Sequence, residues 1–194
     1  MNIRNAALFG VIGVMALGGC KKTADNKTNY SAAIDQYYAG HPACLWTEAK
    51  KFPVQVGHDS DDTAKYDALV DQGLLTRTTS EKKIIIISKQ QNNYDVSDKG
   101  RSAWTADPSM PGYGNFCYGH RKVSNVVSAT PASDQPGATT TVQYQYTLDG
   151  VPVWAKAAET QNTYPSVAAN LAGPKNGTAT LTNTQNGWQV TSTQ

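Results

Sequence analysis

Polar and apolar positions alternate along one half of the chain and recur at helical spacing along the other. Between residues 139 and 148, Val142, Tyr144, Tyr146 and Leu148 fall on one side while Gln143, Gln145 and Thr147 fall on the other. A period of two predicts a strand with one buried face. Residues 121–130 predict a partner strand and 131–137 a turn. Asp149-Gly150 marks a tight turn, and Gln185-Asn186-Gly187 the turn of a closing hairpin between 178–182 and 188–191. Over 30–39, Ile34, Tyr37 and Tyr38 recur at i, i+3 and i+4, which predicts a helix with Ser31 near its start and Gly40 at its end. His41-Pro42 stops it. A second helix is predicted over 60–72, capped by Asp59 or Ser60 and closed by Gly73, with Tyr66, Leu69, Val70 and Leu74 as its apolar stripe. A further helical stretch falls near 165–171. The pattern is that of an α+β protein, without internal repeats.

The stretch between these halves has a recognisable order. A helix ending in Gly73-Leu74-Leu75 is followed by a strand at 83–88, a polar turn at 89–93 and a strand at 94–97. A short helix from Asp98-Lys99-Gly100-Arg101 to Trp104 closes it. This arrangement resembles the winged-helix fold of many bacterial regulators over residues 59–104, a quarter of the chain. That family reads a DNA groove with a basic helix. Here the helix carries Asp59, Asp61, Asp62, Asp67 and Asp71 against Lys65 alone, a surface that repels phosphates, so no nucleic-acid partner is expected. The run from Ile84 to Ile87 is expected either in the core or paired at a sheet edge.

The first twenty residues decide the compartment. Arg4 precedes an apolar stretch over 6–17, and Leu17-Gly18-Gly19-Cys20 ends it. This ending resembles the lipobox of bacterial lipoproteins. The resemblance implies a signal peptide at 1–19, acylation of the Cys20 thiol, and Cys20 as first mature residue. Lys21, where an Asp would resemble an inner-membrane retention signal, points to the outer membrane facing the periplasm. Membrane attachment through lipid alone is expected, because no other apolar run approaches the eighteen or so residues a span needs. Residues 20–29, polar and lysine-rich, read as a flexible tether. Two units follow: a winged-helix-like unit at 30–107 and an antiparallel sheet with a packed helix at 108–194. With Arg4 removed from the 17 basic side chains, 16 face 15 acidic ones, too near balance to draw the chain to nucleic acid.

Two cysteines remain, Cys44 and Cys117. Outside the cytosol such a pair is first read as a disulfide. The alternative is a tetrahedral metal site in which His41 and His120, each three positions from a cysteine, complete a Cys₂His₂ set. No cofactor is expected. Nucleophilic chemistry finds little footing: there is no Gly-x-Ser-x-Gly elbow and no His-Glu-x-x-His. The tetrad from Ser80 to Lys83 reads as a turn entering a strand, and His58-Asp59-Ser60 as a loop and cap. The three glutamates, Glu48, Glu81 and Glu159, stand in no informative setting. Trp104, Trp154 and Trp188, each where an element ends, read as core or interface anchors. Tyr113, Phe116 and Tyr118, in a glycine-rich loop, read as a functional surface. Together these features describe a non-catalytic envelope lipoprotein that works by protein–protein interaction or scaffolding. A first alternative is a periplasmic immunity or inhibitor protein that uses Asp61, Asp62 and Asp67 to mimic an anionic substrate. A second is a metal-binding or hydrolytic protein that uses His41 and His120.

Overall fold

The computed structural model describes residues 27–84, 87–133 and 135–194, with backbone alone at 82–84 and 87–89. Cys20 and the signal-like segment lie outside the described residues, as do Ile85, Ile86 and Asp134. The chain is α+β, and its sheets are antiparallel throughout.

Helix α1 (Lys27–Ala39) begins inside the expected tether, since 27–29 are already helical. Its buried residues, Tyr30, Ala33, Ile34 and Tyr38, follow one helical stripe and lie on a four-stranded sheet. That sheet is β7 (His120–Ala129), β8 (Thr139–Asp149), β9 (Lys175–Thr184) and β10 (Gly187–Thr193), in the order β10-β9-β8-β7. The expected alternation in β8 is present: Val142, Tyr144 and Tyr146 are buried against α1. Tyr144 stands opposite Gly177, where an added Cβ would lie 2.6 Å from its ring. Only a residue without a side chain lets the ring rest on the β9 backbone. The carboxylate of Asp35 ties the helix to the sheet. It accepts the Val123 N–H at 2.8 Å, where β7 bulges, and pairs with Lys122 at 2.7 Å.

The second core gathers around α2 (Asp61–Asp71), β1 (Lys50–Lys51), β2 (Val54–Gly57), β3 (Leu75–Ile84), β4 (Ile87–Val96), α3 (Asp98–Ala103), β5 (Trp104–Ala106) and β6 (Tyr113–Phe116). Ser60 caps α2, accepting from Asp62 N, and Gly73 (φ +72°) follows its end. Strands β2, β4 and β3 form one small sheet and β1, β6 and β5 another. Three short helices, α4 (Val153–Lys156), α5 (Ala158–Thr163) and α6 (Pro165–Leu171), cover this core from the far end of the sequence. Trp154, Tyr164 and Val167 are buried there beside Tyr66, Leu69 and Phe116. Both cores therefore combine residues from either side of residue 107, and packing does not follow a division at that point.

One expectation needs correction here. The polar run at 89–93 is no turn: it lies within β4, whose register pairs Ile84 with Ile87 at the hairpin end. The expected strand over 83–88 thus spans the reversal, two of its residues lying outside the described ones. Strand β4 is central, paired on both sides, and its Asn92 is buried with Oδ1 accepting from Thr79 Oγ1. A polar side chain with a partner of its own tolerates that position. Residues 107–114 form an ordered loop. Asp107 Oδ1 accepts from the N–H groups of Ser109 and Met110, and Tyr113 begins β6.

Cys44 and Cys117 form a disulfide, 73 residues apart. Backbone bonds run beside it: Ala43 N to Gly119 O, Tyr118 N to Ala43 O and Leu45 N to Phe116 O, at 2.7–3.0 Å. The Asn115 carboxamide continues the seam, donating to Trp46 O and accepting from Trp46 N. Closing a loop of this length restricts the unfolded chain by about 4 kcal/mol on a chain-entropy argument. The Cys44→Ala/Cys117→Ala variant is expected to lose about that much stability, read as a lower urea midpoint with an altered slope. An unchanged midpoint would show that the non-covalent seam suffices.

Candidate functional site

The residues around the disulfide are organised by the C-terminal end of α1. That end leaves carbonyls without intrahelical partners. His41 Nδ1 lies 2.7 Å from Tyr37 O, and His120 Nδ1 lies 3.0 Å from Tyr38 O. Each imidazole donates its Nδ1–H to a carbonyl of the last turn that also accepts a backbone N–H, from Gly40 at Tyr37 and from His41 at Tyr38, an arrangement favoured by the negative end of the helix dipole. His41 also stacks on the Tyr37 ring, 4.0 Å between centroids. With both sulfurs spent on the disulfide, the Cys₂His₂ set of His41, Cys44, Cys117 and His120 is ruled out. Among the described residues no group of three or more His, Cys, Asp or Glu side chains could hold a metal ion.

Beside His120, Arg121 lies between two tyrosine rings, 4.8 Å from the Tyr38 centroid and 4.7 Å from that of Tyr146. Its guanidinium donates to Tyr38 Oη at 2.8 Å, and Tyr38 Oη meets Tyr144 Oη at 3.1 Å. This chain of contacts closes the α1 core at one end and leaves its arginine committed to structure.

The expected aromatic surface separates into two parts. Phe116 and Tyr118 are in the core, at 0% and 2% exposure, and the reading of them as surface residues is corrected. The glycines around them mark close backbone approach rather than an open loop. A Cβ on Gly114 would lie 2.4 Å from Trp104 Nε1, and one on Gly119 2.8 Å from Asp149 O. Tyr113 is exposed, as is Met110, and Lys51 Nζ stands 5.8 Å over the Tyr113 ring. The Ser109 hydroxyl, with the neighbouring backbone N–H groups, holds the Asp107 carboxyl below its ordinary range and fixes the loop that presents both residues.

The aspartates of α2 are not equivalent. Asp61 is exposed, and Asp62 pairs with Lys65 at 2.8 Å. Asp67 accepts from the buried Tyr94 hydroxyl at 2.8 Å and from Arg77 at 2.7 Å. It is a structural acceptor that reading the helix as a charged face does not reveal. Sequence reasoning also missed the Asp71–Glu159 contact, where the hydrogen bond to Asp71 holds the exposed Glu159 carboxyl above its usual range.

A groove of about 450 Å³ runs between α1 and β10. Gln36 and Tyr37 form its helical wall; Asn186, Trp188 and Gln189 form the strand wall. Among the described residues, none that lines it is charged. Trp188 is buried with its Nε1–H lacking a hydrogen-bond partner among the described residues, and its ring meets Tyr30 edge-on at 5.3 Å. Among described residues, the carboxamides of Gln36, Asn186 and Gln189 make no hydrogen bond to the protein. No single residue pattern announced this groove, because it joins the first described helix to the last strand.

Asp67→Ala is expected to cost about 1–3 kcal/mol by stripping the partner from the buried Tyr94 hydroxyl. Asp61→Ala is expected to stay within about 0.5 kcal/mol, both read by urea denaturation. Burial raises the phenols of Tyr66, Tyr94, Tyr144 and Tyr164 above their ordinary value; at Tyr94 the bond to Asp67 adds to this, at Tyr144 the contact with Tyr38. Unfolded tyrosines ionise near pH 10. Above that pH the unfolded chain releases protons that the folded one keeps, so this contribution is complete below pH ~10 and is lost as pH rises further. Tyrosinate absorbance during an alkaline titration is expected to show these phenols ionising together with unfolding. Gradual ionisation within an intact fold would contradict that expectation.

Compared with protein-family models, with curated proteins and with solved structures, the chain matches none.

Proposed function

We propose that this chain is a lipid-anchored protein of the bacterial cell envelope, acylated at Cys20 and acting by non-covalent binding to an envelope protein. The disulfide carries the compartment half of this reading. Cys44 and Cys117 are bonded, and disulfides persist in oxidising compartments such as the periplasm. Export agrees with the leader ending in Leu17-Gly18-Gly19-Cys20, and Lys21 favours the outer membrane facing the periplasm. The binding half is supported by the ordered loop that presents Met110 and Tyr113 to solvent. Surface aromatics fixed by a rigid loop lose little freedom on binding and make effective anchors. An inhibitor working through the acidic helix is left with Asp61 and Asp62, since Asp67 is held by Arg77 and Tyr94.

Palmitate labelling of growing cells, followed by membrane fractionation, tests the anchor. The native chain is expected to incorporate label and to sediment with the outer membrane. Cys20→Ser is expected to abolish the label. An unlabelled native chain, or label that survives in Cys20→Ser, would overturn the proposal.

A further inference from the structure

The groove between α1 and β10 has the chemistry of a site for an uncharged, hydroxyl-rich ligand. Its volume of about 450 Å³ falls within the range of small-ligand clefts, about 300–1,000 Å³. Among the described residues no charged side chain lines it, so a phosphate, carboxylate or ammonium group would leave water there without a counter-charge from them. The polar side chains are of one kind: the carboxamides of Gln36 and Asn186, both exposed and without hydrogen bonds to described residues. Each carboxamide sets an acceptor oxygen and two N–H donors in one plane. That combination matches adjacent hydroxyls, which donate and accept in turn. Tyr37 adds a rigid amphipathic wall, held by the His41 stack and by an edge contact with Tyr38 at 5.1 Å. The strand wall contains Trp188, whose indole N–H has no partner among the described residues.

We propose that this groove binds a neutral oligosaccharide, with Gln36 and Asn186 hydrogen-bonded to its hydroxyl groups and the Tyr37 ring packed against its apolar ring surface. The site does not depend on acylation of Cys20 or on the Met110 and Tyr113 surface. Its failure would leave the lipid anchor standing, and failure of the anchor would leave the groove intact.

The test uses the full mature chain in neutral detergent micelles, with calorimetry and tryptophan fluorescence as readouts. The probes are the tetramer of β-1,4-linked glucose and the tetramer of β-1,4-linked N-acetylglucosamine. At least one is expected to bind saturably with a Kd near or below about 1 mM. That affinity is expected to change less than about twofold between about 0.05 and 0.5 M salt, because no charge is involved. Gln36→Ala/Asn186→Gly, at two exposed positions, is expected to weaken binding by about tenfold or more with thermal unfolding unchanged. Gln36→Arg alone, which places a long charged side chain on the helical wall, is expected to do the same. Absence of saturable binding by both sugars, binding that survives both variants, or affinity that collapses with salt would overturn the proposal.

Discussion

The seam between residues 43–46 and 115–119 is the constraint on which the two cores depend. At this place two distant stretches lie antiparallel, share backbone hydrogen bonds and are closed by the Cys44–Cys117 bond. The chain passes from one core to the other here. Tyr38 belongs to the α1 core and Leu45 to the α2 core; on the return stretch Phe116 and Tyr118 belong to the α2 core and Val126 to the sheet under α1. Crossing twice at one bolted point holds the cores in a fixed relation. The two histidines then close the end of α1 over the same seam, so helix, disulfide and sheet share one junction.

Around that junction aromatic rings supply much of the packing. Trp46, Phe52, Trp104 and Phe116 meet one another at 5.0–6.4 Å between centroids. Such pairs add about 0.5–1.5 kcal/mol each beyond the area they bury. Hydroxyls inside the core are carried to partners: Tyr94 to Asp67, Tyr164 to Lys65 O, and Tyr118 to Asn170. Tyr30, Thr160 and Trp188 depart from this among the described residues, each with a buried polar atom lacking a partner.

The elements legible in the sequence were those whose signal is local. The alternation of Val142, Tyr144 and Tyr146, the Ser60 cap, the Gly73 stop and the Asn186-Gly187 turn each report a short-range requirement, and each stands where its residues put it. The hairpin end near Ile84 was illegible because four isoleucines carry no turn chemistry. The polar run in β4 misled for the opposite reason, its burial being decided by strands on both sides. The candidate sites divided in the same way. The Cys44–Cys117 pairing followed from parity and compartment. The burial of Phe116 and Tyr118 did not, because glycines that admit a neighbouring backbone resemble glycines that loosen a loop. His120 meets α1 across 82 residues, a relation no spacing rule contains.

Helix α1 begins by Lys27 and is welded to the sheet through Asp35, Tyr38 and Ile34. With Cys20 as the proposed point of attachment, seven chain steps separate lipid from helix, a leash of at most about 25 Å even when fully extended. Gln36 and Tyr37 stand within a further 15 Å or so along the helix. The body would patrol a shallow shell above the bilayer, and any ligand of the groove would have to be met close to the membrane face.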